Sequence, residues 1–256
     1  MVWLRRLLAL SLILGLWQGL VWLQLVPERY LPSVGRVLNA LVQMIRSGEA
    51  GTAEQLTLSR ALGGLAMTIL LALGLALVGE ILPAVRRALS PLAEILRPIP
   101  PAAIVPVVSF ALGFGYQAHL VTIVLTALWP LYYNAISALS GVNPLLIQTG
   151  RSFGYSRFEI LLRIILPQAL PQIFIGLRLS AGVSLIAVVV AEMLGGRDGT
   201  GALLFTKAFG LQVADVFALT LICGLNGMLL NQLVKSARRI CVGWHDQAQI
   251  AMGEGQ

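Results

Sequence analysis

Charge is what this chain has least of. Of its 256 residues 11% are charged and 57% are hydrophobic, with a mean hydropathy of +0.85. A soluble domain of this length needs far more charge to cover its surface, so the composition argues for lipid as the solvent. Acids are scarcer than bases, 11 against 18. The only aspartates are Asp198, Asp215 and Asp246, too few for an acidic metal cluster or a membrane phosphotransferase. His119 and His245 are the only histidines, and Gly182-Val183-Ser184 has none at matching depth for an intramembrane serine protease. Two cysteines, Cys223 in an apolar run and Cys241 in a basic tail, make no disulfide framework or metal site. No G-x-x-x-x-G-K-[ST] occurs, so the chain does not bind ATP through a P-loop. No catalytic residue, metal ligand or bound cofactor is expected. Fixed-period repeats, low-complexity stretches and soluble-domain linkers are absent too.

What is present is a series of long, continuous apolar runs. Lipid permits only helices or closed barrels, and these runs lack the ten-residue alternation of a barrel. The expected fold is all-α, a polytopic membrane protein with six transmembrane helices: Leu7–Val26, Arg60–Leu82 ended by Pro83, a short Pro100–Phe114, His119–Leu139, Leu170–Leu194 and Val216–Val234. The N-terminus, Arg5-Arg6 before an apolar stretch, imitates a signal peptide but reads as an uncleaved first span. The expected organisation is a first helix with an outer segment over 1–59, a core over 60–240 holding an inner connection at 141–171, and a cytoplasmic tail over 241–256.

The net charge of +7 is better explained by topology than by nucleic acid, because the bases lie between apolar runs. With the N-terminus inside, the inner segments hold Arg5, Arg6, Arg86, Arg87, Arg97, Arg151, Arg157, Arg163, Arg178, Lys235, Arg238 and Arg239. The outer segments hold Arg29, Arg36, Arg46, Arg60, Arg197 and Lys207, half as many. Six spans with both termini cytoplasmic satisfy the positive-inside rule.

The inner connection between the fourth and fifth spans has more structure than a linker. Asn143-Pro144 supplies a cap followed by Pro at the first helical position, predicting a helix over Leu145–Phe153. Gly154 can close it in a left-handed conformation. Ser156-Arg157-Phe158-Glu159 has the capping-box pattern. A second helix follows, with Phe158, Leu161, Leu162 and Ile165 apolar and Glu159 and Arg163 polar, until Pro167 stops it. The product is two short helices with a tight turn, either an interfacial amphipathic connector or a rigid knob for a cytoplasmic partner.

This segment resembles the EAA loop of ABC-transporter permeases. Thr149-Gly150, Gly154 and Ile164-Ile165-Leu166-Pro167 fall in that motif's register without a gap, with Gln148 where the motif opens on Glu. The resemblance implies a MetI-like importer permease in the bacterial inner membrane. It implies that Gln148, Thr149, Gly150, Arg151, Gly154, Ser156, Arg157, Glu159, Arg163, Ile164, Leu166 and Pro167 form a coupling loop. Its partners would be two copies of a cytoplasmic ATP-binding subunit that uses ATP and Mg, a periplasmic substrate-binding protein and a second permease copy. Arg97-Pro98-Ile99-Pro100-Pro101, Leu112-Gly113-Phe114-Gly115, Gly176-Leu177-Arg178-Leu179 and Ala191-Glu192-Met193 leading to Gly199-Thr200-Gly201 are similar to the nitrate, sulfonate and taurine branch. Tyr116 stands where many of that branch have an acid. The implied cargo is a small oxyanion. An ion-gradient-driven secondary transporter is the alternative.

Candidate pathway residues come from the fifth span. Gly176, Ser180, Ser184, Ala187 and Ala191 share one helix face, which reads either as close helix packing or as a pore- or dimer-facing stripe. Arg178 near the inner end snorkels to the interface or attracts an anion. Glu192 and Glu80 lie near span ends, and an ionisable group there faces protein, water or the interface. Tyr132, Tyr133 and Asn134 are packing or lining candidates.

Overall fold

In a computed structural model the backbone is described for residues 2–253, and side chains for 5–243 apart from Arg6 and Leu10. The side chains of Trp3, Trp244, His245 and the rest of the tail therefore lie outside the described residues. The described elements are helical throughout: α1 Val2–Trp22, α2 Val34–Arg46, α3 Glu49–Ile81, α4 Pro83–Leu96, α5 Pro101–Leu112, α6 Tyr116–Ser140, α7 Pro144–Ser152, α8 Arg157–Ile160, a π turn Leu161–Ile165, α9 Leu166–Gly195, α10 Thr200–Phe209 and α11 Val213–Gly253.

Four of these helical runs are long and apolar enough to cross a membrane: Glu49–Ile81, Tyr116–Ser140, Arg157–Gly195 and the stretch Val213–Gly243 of α11. The third expected span is different. Its helix α5 has 12 residues, about 18 Å, which is short of a hydrocarbon core. It forms a pair with α4, bent by 108° at Arg97–Pro100, and only the pair together has the length and composition of a fifth span. Proline explains the geometry. Pro83 ends α3 and opens α4, and Pro101 opens α5, each lacking an N–H that a first turn leaves unpaired anyway.

α6 is the axis of the bundle, and α3 and α9 clasp it. Small residues permit the approach. On α3, Ala61, Gly64, Thr68, Ala72, Ala76 and Gly79 are buried at three- and four-residue spacing. A Cβ on Gly64 would lie 2.6 Å from Ile123 of α6. The main core gathers around Leu131, Tyr132, Ala135, Ile136 and Leu139. In lipid there is little hydrophobic drive between helices, so this close contact is what holds them together.

The outer segment expected within residues 1–59 is largely helical. It contains α2, capped by Ser33 and burying Val37, Ala40 and Met44 against Ala218 and Leu219 of α11, and then the first two turns and more of α3. α10 was likewise not expected. Lys207 fastens it to Glu49 at 3.3 Å and Asp215 at 3.4 Å. Burial opposes the Lys207 charge, but hydrogen bonds and attraction from those two carboxylates outweigh it and hold the ammonium above its ordinary range.

Candidate functional site

The inner connection builds two capped helices, as local rules require. Asn143 Oδ1 accepts from the Leu145 N–H at 2.9 Å, and Pro144 takes the first helical position of α7. At the other end the Tyr155 N–H donates to the Gly150 carbonyl at 3.1 Å and the Gly154 N–H to Arg151 at 2.9 Å. That pair is a Schellman motif, and Gly154 carries it at φ +78°. Ser156 then opens α8. Its Oγ accepts from the Glu159 N–H at 3.3 Å while its own N–H donates to Glu159 Oε2 at 2.9 Å, a complete capping box.

The two helices are held face to face by a contact at Gly150. A Cβ there would lie 2.5 Å from Ile164 Cδ1 and 3.4 Å from Ile160. Arg163 lies over the Tyr155 ring at 5.4 Å and 3.9 Å from Glu159. Among the expected loop residues, Gly150 is buried and Ile164 and Leu166 are partly buried. Gln148, Thr149, Arg151, Gly154, Ser156, Arg157 and Arg163 are exposed. So are the apolar side chains of Leu145, Phe153 and Phe158, at 65%, 75% and 65%. Bare apolar side chains of this kind mark a surface that meets either a partner protein or the membrane interface.

One expectation is corrected. Pro167 does not stop the second helix: the chain is helical from Arg157 to Gly195, 39 residues without a break. The π turn makes this possible. The Leu166 N–H reaches back five residues to the Leu161 carbonyl, widening the ladder where the Pro167 ring would otherwise meet the carbonyl four residues before it. The knob is therefore continuous with α9.

At the opposite end of α9 lies a polar cluster that spans and motifs did not reveal. Glu192 is wholly buried. It accepts from Arg60 Nη1 at 2.7 Å, Thr57 Oγ1 at 2.8 Å and the Gly201 N–H at 3.0 Å. Arg60 also donates to Asp198 Oδ1 at 2.5 Å, and the Thr200 N–H donates to Thr57 Oγ1 at 2.8 Å. Gly199 has φ +97°, and a side chain there would overlap the Glu192 carboxylate. Arg60, expected at the start of the second span and counted with the outer segments, lies inside α3 and is buried to 6% exposure. A signal was available: a lone cation in an apolar helix needs a partner. Its partner lies 132 residues away, beyond any local pattern.

The small stripe of α9 faces inward. Ser180 Oγ donates to the Ala127 carbonyl of α6 at 2.7 Å, and Ser184 Oγ to Ala181 at 2.8 Å, both fully buried. A Cβ on Gly176 would lie 2.6 Å from Asn134 Cβ. In this conformation Gly176, Ser180, Ser184 and Glu192 hold the bundle together, while Ile175, Arg178, Leu179 and Ile186 form the uncovered face. Tyr132 is buried in the core, and the amide of Asn134 donates to the Pro130 carbonyl at 2.8 Å.

Comparisons with known proteins agree with this layout. Residues 68–242 match the family described as binding-protein-dependent transport system inner membrane component. The taurine transport system permease protein TauC of Escherichia coli (strain K12) is 28% identical over 247 residues, 94% of this chain and 89% of that protein. The nitrate import permease protein NrtB of Leptolyngbya laminosa is 28% identical over 233 residues, covering 89% and 83%. Among solved structures, the inward-facing MetNI methionine ABC transporter aligns over 70% of this chain and 92% of its own, with a TM-score of 0.57 and 18% identity, a likeness of fold.

Proposed function

The chain belongs to the family of binding-protein-dependent transport system inner membrane components, and on that premise we propose that it imports a small oxyanion, its transport cycle driven through the α7–α8 knob. Membership makes it a multi-pass permease of an ABC importer, partnered by an ATP-binding subunit and a substrate-binding protein, and sets aside the ion-gradient alternative. The observation that carries the coupling role is the capped, exposed turn at the end of a continuous helix. Leu145, Phe153 and Phe158 supply apolar anchors, and Arg151 and Arg157 supply charge at the rim, a division common in protein interfaces.

In this reading two ATPase copies, which bind ATP and Mg themselves, act on two permease copies paired as a homodimer. Six spans with cytoplasmic termini complete the topology: α1, the four long helices and the bent α4–α5 pair. The apolar part of α1 runs Leu7–Trp22, ending short of the expected Leu7–Val26, and in this reading it serves as the first span with Arg5 at the interface. Taurine and nitrate in the names of the relatives support an oxyanion cargo, an alkanesulfonate, taurine or nitrate.

Two measurements test this. Cysteine at Phe153, in a background lacking Cys223 and Cys241, is expected to cross-link to the ATPase subunit. The binding protein that co-purifies with the complex is expected to be stabilised by one of the three oxyanions. Absence of the cross-link sinks the knob assignment, and stabilisation by a cation or neutral sugar alone sinks the cargo.

A further inference from the structure

A second charged feature lies on the knob's side of the bundle, apart from both the loop and the buried cluster. Between α9 and α11 is a cavity of about 380 Å³ lined by Arg178, Lys235, Arg238, Arg239, Phe174, Ile175 and Val234. Four cations and three apolar side chains line it, with no acid among them. Arg178, Lys235 and Arg239 are exposed.

We propose that this cavity holds the phosphate headgroup of an anionic phospholipid from the leaflet on the coupling-loop side. Depth supports it. From Asp215 to Lys235 along α11 is about 30 Å, the thickness of the hydrocarbon core, so Lys235 stands at the headgroup level. The neighbouring surface supports it too. Met228 of α11 and Leu179 of α9 are bare apolar side chains, at 69% and 46% exposure, on the membrane side of the cations, whereas Leu229 and Leu233 line a separate groove against Leu58 and Leu62 of α3. An acyl chain can lie along them while the phosphate meets the cations, and Phe174, Ile175 and Val234 line the same cavity. Basic pockets between spans on the cytoplasmic face suit this chemistry. A transported anion would not need that flanking apolar track. The occupant tethers α9 to α11 below the membrane surface, where the knob's helix leaves the bilayer.

The test uses the purified full chain in detergent, titrated with short-chain phosphatidylglycerol, phosphatidylcholine or inorganic phosphate, with thermal unfolding and retained phosphorus as readouts. Phosphatidylglycerol is expected to bind saturably and raise the melting temperature, with phosphatidylcholine ineffective. The Arg178→Gln, Lys235→Gln, Arg239→Gln triple variant is expected to lose affinity on the order of a hundredfold. Arg29→Gln with Arg46→Gln, on α2 and the segment before it, is expected to bind as wild type. Should the triple variant fail to fold, Lys235→Glu alone is expected to weaken binding in the same direction. Equal binding by wild type and the folded cavity variants overturns the proposal. Displacement of the lipid by equimolar inorganic phosphate also overturns it, by assigning the cations to a free anion, and so does loss of the lipid when a second permease copy associates.

Discussion

Gly154 and Gly48 form a matched pair that isolates the role of the loop. Both have φ +78°, and neither would bring a Cβ within 4 Å of any atom. Substituting valine at either site therefore creates no collision, only the backbone cost of a left-handed L-residue, about 1–2 kcal/mol. That is a factor of roughly 5–30 in the ratio of ordered to open turn. At Gly48 the strain falls on the α2–α3 junction, away from the knob. At Gly154 it falls on the turn that joins α7 to α8, which is exposed and held by few buried contacts, so the strain is relieved by local opening. In proteoliposomes holding the complete complex with its binding protein, Gly154→Val is expected to cut ATP-coupled uptake by up to about 30-fold, the limit set by the change in the ordered-to-open ratio. Membrane insertion and the ATPase rate without cargo are expected to persist. Gly48→Val is expected to transport as wild type. Gly154→Asn, which tolerates the left-handed region, is expected to fall between valine and glycine. Full coupled uptake by Gly154→Val, or equal impairment by Gly48→Val, would refute the reasoning.

Gly150→Leu places carbon on Ile164 and is expected to cost about 1–3 kcal/mol of loop stability by overpacking, read as faster proteolysis within 144–160 and lower coupled uptake. Glu192→Ala strips Arg60 of its buried partner and is expected to destabilise the chain by about 3–5 kcal/mol, seen as a lower melting temperature in detergent. Gly176→Leu pushes α9 off Asn134 and is expected to impair both folding yield and transport, whereas Gly182→Leu, with open space around it, is expected to leave folding yield unchanged. Glu159→Ala removes one half of a capping box and is expected to loosen the start of α8, detected as faster hydrogen exchange confined to α8 and the π turn.

How legible these features were depended on how far apart their partners lie. The caps of the knob use residues two to five positions apart, Asn143 with Leu145, Gly150 with Tyr155 and Ser156 with Glu159, and the sequence pattern matched them to within a residue. The long apolar spans were legible for the same reason, since a helix satisfies its backbone internally. Their ends were less so. α11 continues past Val234 because helical hydrogen bonds do not require apolar side chains, and α3 begins at Glu49 because Thr57 and Arg60 are made tolerable by Glu192. The stripe on α9 showed which face packs closely, but not that α6 receives it. α2 was readable from Val37, Ala40 and Met44 at helical spacing and was overlooked beside its many polar neighbours.

The unbroken run from Arg157 to Gly195 has a mechanical consequence. At 39 residues it is a rod of about 58 Å, and its midpoint is Gly176, where a Cβ would meet Asn134 of α6 at 2.6 Å. A stiff beam on such a fulcrum behaves as a see-saw. Tipping it by about 10° swings each end by roughly 5 Å in opposite directions, given that length. A push on the α8 end would then be delivered, reversed in sign, to the Glu192 end, with no intermediate part needed to relay it.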